Sequence, residues 1–280
     1  MNRSVVFVLA IACRDPSPPT AAHGSPAPTV RADAATDPCA VARPSLGPGL
    51  THERWPLGAT PVAGSPPCID VVRADATYHL RAFSDPGKRT APAWRDSEKL
   101  AGVINAGMFH DDGAPVGLLV AGGRARGIDN PKFGGFIAWD PVAPGDPPVT
   151  MAGAQCAGFD LAALRRRYRS LLQSYRLLDC DGHALPWGDP KRYSAAGIGV
   201  DRAGRVVLLH ARAAVTMAEL SRALAAHDLA GAIFLEGGPE ASLIAGELEL
   251  VGSYETGFVE NDDNRAFWAL PNILGLTPAR

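Results

Sequence analysis

The sequence lacks an excess of either charge. Lys and Arg total 27, Asp and Glu total 29, and the formal charge is −2. Without a basic excess there is no electrostatic reason to expect nucleic acid as a partner. The basic residues are scattered except for Arg165-Arg-Arg-Tyr-Arg169, which we interpret as the solvated face of a helix that begins near Asp160.

The chain has no apolar run long enough for a permanent transmembrane helix near its start. Ser4–Ala12 is apolar but short, follows Arg3 and ends at Cys13. Ala10-Ile-Ala-Cys13 resembles a bacterial lipoprotein processing site, in which the cysteine receives lipid. Residues 1–13 are therefore predicted to be a signal peptide, with the mature protein exported and anchored to the cell-envelope membrane through Cys13. Ordinary secretion with cleavage elsewhere is the alternative.

Residues 14–46 lack hydrophobic periodicity and are crowded with Pro, Ala, Ser, Thr, Asp and Gly. Such a segment cannot bury enough apolar surface to offset its ordering entropy, so we predict a disordered tether. Residues 47–280 are enough for one domain with a full core. No internal repeat is evident.

The cysteines lack the spacing of zinc ligands. After Cys13, four remain, Cys39, Cys68, Cys156 and Cys180, and an even number in an exported chain suggests two disulfides. Three pairings are possible, and nearness in sequence favours Cys39 with Cys68 and Cys156 with Cys180. We predict no metal and no cofactor, and we interpret His110-Asp111-Asp112 as a solvated turn.

Short apolar segments predict many strands and few helices. Ile69–Asp75 and Thr77–Phe83 alternate like successive antiparallel strands, and Val116–Val120 and Gly135–Trp139 are further candidates. Ala196–Val200 and Arg205–His210 flank a turn and predict a hairpin. Thr216-Met-Ala-Glu219 has the spacing of a capping box and opens an amphipathic helix. This order predicts an α+β fold, one domain with a mixed, largely antiparallel sheet and a few packed helices.

Two segments place a polar side chain where a buried strand meets glycine. Val103–Asn105 precedes Gly107, and Ala232–Glu236 precedes Gly237 and Gly238. A packed strand holds such a side chain rigidly, and glycine allows a sharp turn or close approach of a ligand. We therefore expect Asn105 and Glu236 to border one active-site cleft.

Several motifs occur together in an order typical of one family. They are Asn105-Ala-Gly-Met-Phe109, Pro115-Val-Gly117, the segment around Gln173-Ser174, Gly197-Ile-Gly-Val-Asp201, the capped helix, and Leu235-Glu-Gly-Gly-Pro-Glu-Ala-Ser242. On these motifs the chain resembles the phosphodiester glycosidase domain family over about residues 65 to 250. The family includes the enzyme that uncovers mannose 6-phosphate and many exported bacterial proteins.

The resemblance implies hydrolysis of a sugar held through its anomeric carbon to a phosphodiester, so a glycan phosphodiester is the expected partner. Such a reaction needs a carboxyl group near an oxocarbenium-like centre and donors or cations around the phosphate. Glu236 matches the family's aspartate and Asn105 its asparagine, so these two are the predicted catalytic residues. The predicted substrate-binding residues are Gly107, Phe109, Gly117, Ser174, Arg192, Gly237, Gly238 and Ser242.

Two departures from the family pattern affect this prediction. Ala195 stands where the family commonly has arginine, which suits bidentate phosphate binding. Arg192, Arg124 or Lys132 are candidates to replace it. Pro239 and Glu240 alter the family's glycine run and add an anion beside Glu236. A weakened family member that binds envelope glycans and a structural surface lipoprotein therefore remain alternatives to an active enzyme.

Overall fold

The computed structural model describes residues 39–40, 44–58, 66–256, 259–261 and 264–279. The predicted signal peptide, Cys13 and most of the predicted tether lie outside these residues. All described residues belong to one compact unit, Asp37–Arg280. In the described ranges, no helix combines the length and apolarity that spanning a bilayer requires.

Strands dominate the described part of the chain. They are β1 Leu50–Pro56, β2 Cys68–Ala74, β3 Tyr78–Thr90, β4 Gly102–Asn105, β5 Leu119–Ala121, β6 Arg124–Arg126, β7 Gly135–Pro141, β8 Val149–Gly153, β9 Tyr168–Ser174, β10 Tyr193–Asp201, β11 Val206–Val215, β12 Leu229–Gly237, β13 Ser242–Ala245, β14 Leu248–Val251, β15 Tyr254–Thr256, β16 Val259–Asn261 and β17 Ala269–Pro278. The helices are α1 Ala91–Glu98, α2 Leu161–Arg167 and α3 Met217–Ala225, with a 3₁₀ turn at Gly238–Glu240.

The strands form three five-stranded sheets. The first has the order β1-β2-β11-β10-β12, the second β14-β13-β4-β17-β3 and the third β6-β5-β9-β7-β8, while β15 and β16 form a separate pair. Every pairing between these strands is antiparallel. The predicted α+β class with a largely antiparallel sheet is confirmed.

One core joins the three sheets. Ile198 and Leu235 from the first sheet, Ile104 and Leu243 from the second and Leu172 from the third belong to the same buried cluster. Full burial of an aliphatic side chain contributes about 1.5–3 kcal/mol. The shared core brings the ends of β4, β9 and β12 together.

Local signals in the sequence specify the hairpin and the capped helix as predicted. Asp201 Oδ1 accepts the backbone N–H groups of Ala203 (3.0 Å) and Arg205 (2.9 Å), which closes the turn between β10 and β11. Thr216 and Glu219 form the reciprocal capping box of α3. Asp160 caps α2 by accepting from Ala163 N at 3.0 Å.

One pairing inferred from the sequence is wrong. The two candidate strands at Ile69–Asp75 and Thr77–Phe83 exist as β2 and β3, but they do not pair with each other. Both edges of β2 are occupied, by β1 and β11, while β3 pairs with β17 in the second sheet. The turn at Asp75, whose carboxylate accepts from Thr77 N at 2.9 Å, passes the chain between sheets.

The two disulfides follow the pairing that nearness favoured. Cys39 is bonded to Cys68, and Cys156 is bonded to Cys180. The Cys39–Cys68 disulfide links the segment before β1 to the start of β2. In that segment, Leu46 is buried in the core.

Candidate active site

Asn105 and Ser242 are in direct contact at the adjacent ends of β4 and β13. Asn105 Oδ1 accepts the backbone N–H of Ser242 at 3.2 Å, and both residues are buried. Asn105 Nδ2 and Ser242 Oγ have no hydrogen-bond partner among the described residues. Because buried polar atoms are normally bonded, these two free groups mark a place where a polar ligand can bind.

The turn after Asn105 passes next to β12. Gly107 has φ +83°, a conformation that favours glycine, and a Cβ there would lie 3.9 Å from the Leu235 carbonyl oxygen and from Leu172. The chain after β9 also runs along β12, with Phe234 N donating to Tyr175 O at 2.9 Å. Ser174 directly precedes this pairing, is buried, and has an unpartnered Oγ.

Glu236 lies near the end of β12, beside the two segments just described. It is half-buried, and its Oε1 accepts the N–H of Gly237 at 3.0 Å. Burial raises the pKa of Glu236 to about 8; the Gly237 N–H opposes the rise and the charge of Glu240 adds to it. Glu236 is therefore mostly protonated at neutral pH.

Glu240 acts on Glu236, and Lys88 acts on Glu240. Burial raises the pKa of Glu240, while its own backbone N–H and the ammonium of Lys88 oppose the rise. Lys88 Nζ lies 5.2 Å from the centroid of the Phe109 ring. Lys88 was not predicted as a site residue, because the strand was expected to end at Phe83, whereas β3 continues to Thr90. Its signal in the sequence is the turn-forming run Asp85-Pro-Gly-Lys88.

None of the three candidate replacements for the missing arginine forms a hydrogen bond or ion pair with Asn105, Glu236, Glu240 or Ser242 in the described ranges. Ala195 is buried and pairs with Gly237, so its position borders the site. Arg192 binds the Ala214 carbonyl at 3.2 Å and the Glu219 carboxylate, which directs it to the cap of α3. Arg124 is exposed on β6, an edge strand of the third sheet, and Lys132 is exposed in the loop before β7.

The remaining predicted binding residues have packing contacts. A Cβ at Gly117 would lie 2.7 Å from the Gln173 carbonyl and from the Phe133 ring, and one at Gly237 would lie 2.6 Å from Tyr193. Gly238 has φ +64°, and its carbonyl accepts from Ser194 Oγ at 3.0 Å. Phe109 is half-buried and packs on the cluster around Trp94, so only part of its ring is accessible.

A row of polar residues crosses the first sheet and ends at Glu236. In register, Arg54 pairs with Asp70, Asp70 with His210, His210 with Ala196, and Ala196 with Glu236. Directly opposed residues of antiparallel strands project to the same face. Asp70 accepts from His52 (2.8 Å) and Arg54 (2.6 Å), so its charge is compensated at the far end of the row.

His210 is the buried member of this row nearest to Glu236. Its Nε2 lies 3.2 Å from the Ala241 carbonyl oxygen, so Nε2 carries the proton of the neutral ring, and Nδ1 has no partner among the described residues. Burial lowers the pKa of His210 to about 4; Asp70 and the Ala241 carbonyl oppose this effect and Arg212 adds to it. Sequence analysis treated His210 only as the end of a strand.

In two clusters of acidic residues, a carboxylate accepts backbone N–H groups of its own turn, which accounts for the residue type there. Asp179, Asp181 and His183 have ligand atoms within 4.8 Å of one another, but the Asp179 carboxylate accepts from Asp181 N at 2.9 Å and His183 N at 2.8 Å. His110, Asp111 and Asp112 form an exposed turn, as expected, in which Asp112 accepts from Ala114 N at 2.9 Å.

The fold and site together define an antiparallel α+β protein with two half-buried carboxyl groups, one at the end of the edge strand β12 and one in the 3₁₀ turn that follows it. Residues 98–277 match the family model described as phosphodiester glycosidase. The chain belongs to the phosphodiester glycosidase family.

Two solved structures have the same fold at low sequence identity. The catalytic domain of zebrafish N-acetylglucosamine-1-phosphodiester alpha-N-acetylglucosaminidase, auto-inhibited by its pro-peptide, is 13% identical, with a TM-score of 0.59 over 85% of this chain and 87% of that one. A hypothetical protein from Synechocystis is 14% identical, with a TM-score of 0.58 over 82% of this chain and 62% of that one. The chain thus spans less than two thirds of the Synechocystis protein. A comparison with curated protein sequences found no match.

Proposed function

We propose that this protein is an exported hydrolase that cleaves a sugar from a phosphodiester-linked glycoconjugate. The observation that carries the proposal is Glu236, a half-buried residue near the end of β12 whose carboxyl pKa is raised to about 8 by desolvation. Raised carboxyl pKa values are typical of catalytic acids, and membership in the phosphodiester glycosidase family supplies the reaction class.

The reaction breaks the bond between the anomeric carbon and a phosphate oxygen, and water supplies the new oxygen on the sugar. Protonated Glu236 does not repel the phosphodiester anion, and it can give its proton to the departing oxygen. Glu240 carries the second carboxyl group and can accept a proton from the attacking water. Lys88 acts electrostatically on Glu240, and we assign to it the phosphate-binding role that Ala195 cannot fill.

Asn105 and Ser242 supply the neutral polar groups of the proposed site. The Asn105 amide is held through its oxygen, which leaves Nδ2 to donate to a sugar hydroxyl, and Ser242 Oγ is free to bind sugar or phosphate. Ser174 and the backbone around Gly107 are assigned to the wall of the cleft.

The test is an assay of the purified protein on nucleotide-linked and aryl sugar phosphodiesters, with matched aryl glycosides that lack phosphate. We expect turnover of the phosphodiesters and its loss in Glu236→Gln. Equal rates for Glu236→Gln and wild type would remove Glu236 from the mechanism. Turnover of the phosphate-free glycosides alone would reject the phosphodiester assignment.

A second candidate is a weakened family member that binds envelope glycans, or a purely structural lipoprotein. Ala195 favours it, because a buried alanine stands where the family has a phosphate-binding arginine. Glycan binding without turnover of any compound in the panel is the outcome that would establish the binding role, and absence of both would favour the structural one.

Export and anchoring through Cys13 are also part of the proposal. Two disulfides are typical of proteins that fold in an oxidising compartment, which supports export. Mass spectrometry of the mature amino terminus should find diacylglycerol on Cys13. An unmodified chain that starts after Cys13 would reject the anchor and leave secretion.

A further inference from the structure

A cavity lies away from Glu236 and Glu240, and neither of them lines it. Its volume is about 510 Å³, and its wall includes β8, the start of α2, the loops on both sides of the Cys156–Cys180 disulfide, and Ala230–Ala232. Ala232 and Glu236 are four residues apart on one strand, about 13 Å at 3.3 Å per residue. Cavities of roughly 300–1,000 Å³ are the usual size for small-molecule sites.

A buried arginine forms part of the wall. Arg176 is 9% exposed, and its guanidinium donates to three neutral acceptors: Leu178 O at 3.1 Å, Gln155 Oε1 at 3.0 Å and Cys180 Sγ at 3.5 Å. Within the described ranges, no carboxylate oxygen lies within 4.0 Å of it. A guanidinium has five N–H groups, so these contacts leave two of them available.

The surrounding backbone is shaped to hold this side chain. A Cβ at Gly135 would lie 2.7 Å from Arg176 Cγ, and a Cβ at Gly153 would lie 2.6 Å from Nη1. Only glycine allows the arginine to pass so close at both positions. The disulfide links the loop that carries Gln155 to the loop that carries Asp179, so both sides of the cavity are fixed before a ligand arrives.

Among the described residues, no carboxylate forms an ion pair with Arg176. Arg167, the other arginine in the wall, is bound to Asp146. Asp179 acts on Arg176 electrostatically, but its carboxylate is occupied by backbone N–H groups of its own turn. Burial lowers the pKa of Arg176, and Asp179 opposes that effect. A buried cation without a partner is costly, and an anionic ligand would remove the cost.

We propose that this cavity binds a small organic carboxylate with an apolar body. Arg176 donates to the carboxylate, and Met151, Phe159 and Leu164 contact the apolar part. A monoanion fits better than a phosphate dianion because Asp160 and Asp179 line the same cavity and would repel a second negative charge.

Titration calorimetry on the full chain tests this with three probes of one shape: phenylacetate, phenylacetamide and phenyl phosphate. We expect phenylacetate to bind at least about tenfold more tightly than the amide, because a charge-assisted hydrogen bond to arginine is stronger than one between neutral groups. Equal affinity for acid and amide, no binding of phenylacetate at millimolar concentration, or tighter binding of phenyl phosphate would each overturn the proposal.

Amino-acid substitutions test whether phenylacetate binds in this cavity. Arg176→Met keeps the side-chain volume and should abolish the preference for the acid, and Ala163→Phe should block the cavity from α2. The matched control is Ala162→Phe, which alters an exposed neighbour on the same helix outside the cavity wall. If Arg176→Met does not fold, the Ala163 and Ala162 variants still decide: equal phenylacetate binding by the two would place the ligand elsewhere. Sugar phosphodiester turnover should not change in Ala163→Phe, so this test and that of the catalytic site are independent.

Discussion

Glu236 and His210 lie on opposite sides of Ala196, each directly paired with it across the first sheet. At about 5 Å per cross-strand step, the two residues are about 10 Å apart along this row, and His210 Nδ1 has no hydrogen-bond partner in the part of the chain that the structure describes. The pKa of Glu236 is raised above its ordinary value, whereas the pKa of His210 is lowered below its ordinary value. That difference makes the role of each testable by pH.

Glu236→Gln should lower kcat/KM on sugar phosphodiesters by about 100-fold to 10,000-fold, the usual contribution of a general acid. In the wild type, kcat/KM should fall as pH rises through about 8, because Glu236 loses the proton that it donates. Steady-state kinetics between pH 5 and 10 would measure both. Glu247→Gln, an exposed glutamate, is the control and should behave as wild type. A wild-type rate that increases through pH 8 would contradict the acid role.

The same residue predicts a pH-dependent stability. The pKa of Glu236 is raised, so the folded protein holds a proton that the unfolded chain releases above about 4.5. Its contribution to the free energy of unfolding is present below 4.5 and is lost as pH rises through about 8. Chemical denaturation should show the wild type losing stability relative to Glu236→Gln across this window, on the order of 1 kcal/mol per pKa unit. Parallel stability curves for the two proteins would show that Glu236 is not desolvated.

His210 should give the opposite dependence on the acid side. Its pKa is lowered to about 4, so the unfolded chain binds a proton near pH 6.5 that the folded protein excludes. Stability should fall as pH decreases from 6.5 to 4, and His210→Gln should reduce this loss while it keeps an N–H donor for the Ala241 carbonyl. Denaturation midpoints at pH 4, 5.5 and 7 would measure it. His183→Gln, an exposed histidine, is the control and should leave the dependence intact.

Lys88→Gln should impair the phosphodiester reaction more than any reaction of neutral glycosides. The change removes the cation near Glu240 and the phosphate, so we expect KM for sugar phosphodiesters to rise about tenfold or more. Lys99→Gln is a close control because Lys99 is also a lysine in a left-handed conformation, with φ +55° against +53° for Lys88. Similar kinetics of the two variants on phosphodiesters would exclude a special role for Lys88.

Variants of Asn105 distinguish a structural role, in which its oxygen holds the Ser242 backbone, from a role in binding substrate. Asn105→Asp keeps an oxygen for the Ser242 N–H, whereas Asn105→Ala leaves that buried donor unpaired at a cost of about 1–3 kcal/mol. We expect Asn105→Ala to melt at the lower temperature and both variants to lose at least tenfold in kcat/KM, because both lack Nδ2. Full activity of Asn105→Asp would reduce Asn105 to a brace for the turn.

Local sequence signals account for much of the fold. The capping box at Thr216 and Glu219, the Asp201–Gly204 turn and the cap at Asp160 are short-range hydrogen-bond patterns, and each forms as the sequence predicts. The strands that β2 and β3 pair with were not predictable in the same way. Alternation identifies a strand and its buried face, but it does not identify the neighbouring strand, which depends on contacts far apart in the chain.

The sequence by itself determined the strand ends at Asn105 and Glu236, the glycines beside them and the family to which the motifs belong, because these are properties of short segments. Tertiary structure alone decided which side chains share an environment. Lys88, near the end of β3, acts electrostatically on Glu240, and His210 enters the polar row through the register of four pairings. Arg176 has no carboxylate oxygen within 4.0 Å in the described part of the chain. Burial sets the pKa of Glu236 and His210, and burial exists only once the three sheets have packed together.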